Sequence, residues 1–120
     1  MFKLIKIVGG RINVFEPELH IANAAVKNGE ALVLNSDGKL VVCGQEVRPT
    51  FIALADGAAN EEIAVGRVES NQIFETAAVS GVKVGGKYKL ATDGLGIVGT
   101  AASTNGAEVV AIGDTVLVRF

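Results

Sequence analysis

The chain has 120 residues, 49% of them hydrophobic and 20% charged, with a net charge of −2 and an isoelectric point near 5.4. That is one domain with enough apolar side chain to build a core, which excludes intrinsic disorder. The acidic balance argues against nucleic-acid binding through phosphates, no run reaches the ~18–20 apolar residues of a membrane span, and the lone Cys43 excludes an internal disulfide or a multi-cysteine metal site.

Taken in chain order, Phe2, Leu4 and Ile7 alternate with Lys3 and Lys6 before Gly9-Gly10 breaks the run. This start is too short and too alternating for a secretory signal, and with the free cysteine it fits folding in a reducing cytosol. Residues 11–15 alternate again through Ile12, Val14 and Phe15. The pattern predicts two short strands around a Gly-Gly turn, or one extended arm. Pro17 lacks an amide hydrogen, so residues 16–18 are expected to end any ladder, and 19–27 shows no sustained period and reads as irregular.

Strands are then expected at 30–34, 40–43, 51–54, 63–70, 72–77, 87–90, 95–100, 108–112 and 115–120. Breaks recur about every eight to twelve residues, the spacing of a sandwich or barrel. No stretch sustains a 3.6-residue period, so the fold class is all-β, a compact small β-barrel or sandwich with little helix. The expected organisation is an extended N-terminal arm over 1–22 and a single β domain over 23–120. Phe is the only recurrent aromatic, so the core must be Val, Ile, Leu and Ala. A mean hydropathy of +0.42 hints at apolar surface buried against a partner.

Residues 26–38 are echoed at 82–94, fifty-six positions later. Val26/Val82, Lys27/Lys83, Gly29/Gly85, Leu34/Leu90, Asp37/Asp93 and Gly38/Gly94 match. Each copy reads as a Gly turn, an apolar-rich strand and an Asp-Gly turn, with Asp37, Gly38, Asp93 and Gly94 as turn formers. A looser echo aligns residues 62–68 with 114–120 and so sets Arg67 against Arg119. Both features point to an internal pseudo-repeat.

Little in the chain suggests chemistry. His20 is the single histidine, so any metal site or nucleophile–histidine pair would have to use it; the ordinary alternative is a surface or interface histidine. Cys43 ends an apolar run with no basic neighbour to lower its pKa, as expected of a small buried hydrophobe. Asp37, Asp56, Asp93 and Asp114 each adjoin a glycine, which is turn chemistry rather than acid–base chemistry, and none has the spacing of a calcium loop. Gly94, Gly96 and Gly99 spell a dinucleotide-loop pattern, but a strand is expected where that loop needs a helix. No catalytic, cofactor or metal residue is therefore assigned. Arg67 and Arg119 end strands, either as solvated ends or as contacts to a neighbouring subunit. The apolar, terminal segment 2–15 is the best interaction candidate, pairing either with this chain's own sheet or with another chain's edge.

Several stretches together resemble a known family. They are the opening M-F-K-L-I-K-x-x-G-G-R-I-N-V-F-E-P-E, then V-K-x-G-E-A-L-V-L followed by S-D-G-K-L, P-T-F-I-A-L-A-D-G, E-E-I-A-V-G-R-V, and the closing G-D-T-V-L-V-R-F. In this order, over nearly the whole length, the chain resembles the small capsid decoration, or cement, proteins of tailed bacteriophages. The resemblance implies a structural virion protein, not an enzyme, with a compact β-tulip-like domain and no cofactor. It implies synthesis in the bacterial host cytoplasm and a final place on the outer surface of the expanded capsid. Its partners there would be the major capsid protein and further copies of itself in a trimer, with no nucleic acid and no membrane. The role implied is capsid stabilisation by bridging neighbouring capsid subunits. Candidate capsid or subunit contacts are Phe2, Lys3, Leu4, Ile5, Lys6, Arg11, Ile12, Val14, Phe15, Arg67 and Arg119. A tail-tube or fibre-base component, or a small ligand-binding β domain, is the alternative expectation; the single Tyr and absent Trp offer the latter little platform.

Overall fold

The computed structural model describes residues 1–9 and 17–120. Runs of Val, Ile, Leu and Ala separated by Gly, Asp and Asn turns form eleven strands among the described residues, and no helix. They are β1 (Lys3–Ile7), β2 (Pro17–Ile21), β3 (Ala31–Leu34), β4 (Leu40–Val42), β5 (Phe51–Ala53), β6 (Glu62–Arg67), β7 (Gln72–Ala77), β8 (Lys87–Leu90), β9 (Ile97–Ala102), β10 (Ala107–Ile112) and β11 (Thr115–Arg119). The expected all-β class holds. The strands pack as two antiparallel sheets, a sandwich rather than a closed barrel. The shortest dimension of 22 Å suits two face-to-face sheets about 10 Å apart with their side chains.

The larger sheet runs β1-β7-β11-β10-β8-β9 and the smaller β2-β6-β5-β3-β4. With β1 set aside, the two orders are the same once β2–β6 are matched to β7–β11. The registers match as well. Ala31 faces Ile52 and Leu32 faces Phe51 in the smaller sheet; fifty-six residues on, Lys87 faces Glu108 and Tyr88 faces Ala107. The Gly29 amide donates to Ala53 O and the Gly85 amide to Val109 O, both at 2.8 Å. Gly29 and Gly85 share positive φ, 82° and 87°, as do Gly38 and Gly94 at 75° and 71°. Glycine alone takes these turns without strain, so both copies place glycine there.

The second echo differs from its sequence alignment. Ile63 and Val65 of β6 are buried, as are Val116 and Val118 of β11, and the ladders align Gly66, not Arg67, with Arg119. A one-residue slip would turn the buried set to solvent, so packing fixes the register that the Arg match missed.

The two sheets play unequal parts. The smaller one curls until the end of β2 bridges the start of β4 through Ala22 and Leu40. Its concave side holds Leu32, Leu40, Phe51, Ala53, Ile63 and Val65 with Ala22 and Val26. Its opposite side contributes Ala31 and Ile52 to the main core, where they meet Phe74, Leu90, Val109, Val116 and Val118 of the larger sheet.

Of the alternatives expected for the start of the chain, the described residues show a strand paired with this chain's own sheet and no extended arm. Phe2 is 1% exposed and its ring packs edge-on against Phe120 at 5.2 Å, while β1 pairs with β7 of the same chain. A register shift between Leu4 and Lys6 sets Lys3 and Lys6 opposite Glu75 and Ile73, on one face, and Leu4 and Ile7 opposite Phe74 and Gln72, on the other. Pro17 does not end a ladder. It opens β2, an edge strand, where a missing amide hydrogen costs little.

Candidate functional site

Strand β2 is inverted relative to an ordinary edge strand. Side chains alternate along it, and the polar ones turn inward: Glu18 and His20 are half-buried, whereas Leu19 is 62% exposed and Ile21 is also exposed. The inward pair is held by β6 and β5. The Arg67 guanidinium donates to both carboxylate oxygens of Glu18, Nε to Oε2 at 2.9 Å and Nη2 to Oε1 at 3.0 Å. His20 Nε2 lies 3.3 Å from Glu18 Oε1, and its ring stands 4.8 Å from that of Phe51. The same Phe51 ring lies under the Arg67 guanidinium at 4.9 Å. The Arg67 hydrogen bonds hold the Glu18 carboxyl below its usual range, against a smaller opposing effect of burial and with help from His20.

The outward face is apolar around Leu19, with Glu62 of β6 standing opposite Ile21 at its end. Leu19 stands opposite Ala64 on β6, and the Leu54 amide donates to Ala64 O at 2.9 Å, so Leu19, Ala64 and Leu54 form a row across β2, β6 and the residue that follows β5. Leu54 and Ile21 are both exposed. The row ends at β2, where the sheet edge has no further strand among the described residues. Such a surface can bind another protein by apolar contact and strand-edge hydrogen bonds.

The other expected site residues are dispersed. Phe2 belongs to the core and cannot serve as a surface contact. Lys3 and Lys6 are exposed on β1, Leu4 and Ile5 half-buried. Arg11, Ile12, Val14 and Phe15 lie outside the described residues. Arg67 is committed to Glu18 and Arg119 to Glu108, Nε to Oε2 at 2.8 Å. Asp37, Gly38, Asp93 and Gly94 occupy the turns expected of them. The side chain that closes the second turn is Asp93, accepting from the Leu95 amide, but in the first it is Asn35, accepting from Asp37 and Lys39. Asp56 instead ties two loops, accepting from the Asn28 amide at 2.7 Å.

Cys43 is buried, its thiol donating to Val47 O at 3.0 Å and its pKa pushed up to about 11 by burial. That environment disfavours the thiolate, so it makes no nucleophile at neutral pH. His20 has an acid beside it and no hydroxyl or thiol within hydrogen-bond reach among the described residues. No group of three or more His, Cys, Asp or Glu side chains is placed to hold a metal among the described residues. The residues carrying Gly94, Gly96 and Gly99 lead into β9, a strand. No helix of the described residues is long and apolar enough to cross a membrane.

The contact row was missed because 19–27 reads as irregular. The signal that would have found it is the two-residue spacing of Glu18 and His20 against Leu19 and Ile21, which is strand alternation. Searched against known protein families and curated proteins, the chain matches none.

Proposed function

We propose that this protein is a structural component of a virion, binding the outer surface of an assembled bacteriophage capsid and stabilising it by bridging neighbouring major capsid protein subunits. The observation that carries this reading is the inverted edge strand. A chain that lodges Glu18 and His20 against its own sheet while turning Leu19 and Ile21 to solvent keeps an apolar face for another protein. The resemblance in strand and turn order supplies the identity of that protein. A stiff two-sheet body suits the task, and many copies on one shell make modest contacts effective, because each bound neighbour raises the local concentration for the next.

Co-sedimentation with cognate expanded capsids tests this. The wild-type protein is expected to saturate the particles, and a Leu19→Lys, Ile21→Lys double variant to stay in the supernatant. Absence of wild-type binding would sink the reading; undiminished binding by the variant would remove β2 from it.

A further inference from the structure

The shared strand order shows how one surface of the repeated unit is used twice. In the smaller sheet, Ala31, Ile52 and Gly66 lie side by side across β3, β5 and β6, all buried, with Ala31 and Ile52 facing the larger sheet in the main core. The corresponding residues of the larger sheet are Lys87, Glu108 and Arg119, again side by side, on β8, β10 and β11. There the row is open to solvent. The face that receives a neighbouring sheet in the first half is thus free and charged in the second.

A cleft of about 470 Å³ lies on that face. Its walls carry Arg48, Lys87 and Arg119, the hydroxyls of Ser70 and Thr104, and the amide of Asn105. Arg48 comes from the β4–β5 loop, which is fastened to the larger sheet by the Leu90 amide donating to Gln45 O at 2.9 Å. Glu108, the one acidic side chain in the lining, is taken by Arg119 at 2.8 Å. Arg48 and Lys87 enter no ion pair among the described residues. Two uncommitted cations, a third partly neutralised one and neutral donors make a receptor for negative charge.

We propose that this cleft docks an acidic peptide segment, one that presents two or more carboxylates along an extended chain. For the partner's identity the assignment rests on the decoration reading: the segment belongs to the shell protein. A cleft of this size exceeds what one inorganic anion fills. A phosphate backbone would call for a longer track of cations than three, on a chain whose net charge is −2. A carboxylate-bearing segment matches both the separation of charges over the cleft walls and the neutral donors between them.

The test uses the full-length protein and a fluorescent Glu-rich peptide, with the matching Gln-rich peptide, inorganic phosphate and oligothymidylate as comparisons. The acidic peptide is expected to bind, to weaken as salt rises, and to shift the backbone amide resonances of Lys87, Thr104, Asn105 and Gly106. Arg48→Gln and Lys87→Gln, both at exposed positions, are each expected to weaken it about fivefold, the loss of one exposed charge contact. Equal binding of the Gln-rich peptide, competition by phosphate at equal affinity, preference for oligothymidylate, or unchanged binding by both variants would each overturn the proposal. The two readings fail separately. Variants that lose the peptide yet bind cognate capsids as wild type does would remove the shell segment as occupant and leave capsid decoration standing. A wild-type protein that ignores capsids but binds the peptide through Arg48 and Lys87 would remove decoration and leave the cleft an acidic-peptide site.

Discussion

At the scale of single residues, two buried polar groups set the account's sharpest expectations. Thr76 is 2% exposed and its hydroxyl has no hydrogen-bond partner among the described residues. Thr76→Val keeps the shape and removes the unsatisfied atom, so the unfolding free energy from urea titration is expected to stay level or to rise by about 1 kcal/mol. A clear loss would show that the hydroxyl has a partner in solution. Glu30 is the converse case, a carboxyl buried at the start of β3. Burial raises its pKa, the Lys27 amide counteracts that in part, and the charge of Asp93 adds to the rise. A raised folded-state pKa means that the ionised form weakens the fold near neutral pH. That penalty is relieved as pH falls through the raised value toward the unfolded carboxylate value of about 4.3. Glu30→Gln is therefore expected to be at least as stable as wild type at neutral pH, with an advantage that shrinks on acidification. An advantage that grows instead would reverse the assignment.

At the scale of elements, alternation and turn chemistry made most of the fold readable. Residues 72–77 and 87–90 are strands with the expected bounds, 108–112 lies within a residue of its strand, and the strand expected over 63–70 ends three residues sooner, at Arg67. What stayed hidden was β2. The rule that proline ends a ladder applies where its amide is needed, and the first residue of an edge strand has no such need. With 16–18 taken as the end of a ladder and 19–27 as irregular, the opposite facing of Glu18 and Leu19 has no meaning, and the contact row disappears with it. The Glu18–Arg67 pair was equally out of view, since the two residues meet only through the β2–β6 ladder. The inversion makes a further prediction for β2 as an element. Because Leu19 and Ile21 face solvent, replacing both by Lys is expected to change unfolding free energy by no more than about 0.5 kcal/mol. A large destabilisation would mean that the pair is buried within this chain and is no contact surface.

At the scale of the whole molecule, the two sheets share a plan and differ in what their equivalent faces touch. Ile52 and Glu108 occupy corresponding positions, the first inside the main core and the second on the open face. Ile52→Ala is expected to cost about 2–5 kcal/mol and Glu108→Ala about 1 kcal/mol or less, measured by denaturant unfolding. Since the main core draws Ala31 and Ile52 from one half and Val109 and Val116 from the other, both losses should appear in a single transition. Under the proposed decoration role, a load taken on β2 would pass through β6 and β5 into the main core. The most direct measurement is the temperature at which cognate particles release packaged DNA, with the protein bound to saturation and with it absent. Decorated particles are expected to hold their DNA to a higher temperature. Equal temperatures on particles proven to be saturated would contradict it.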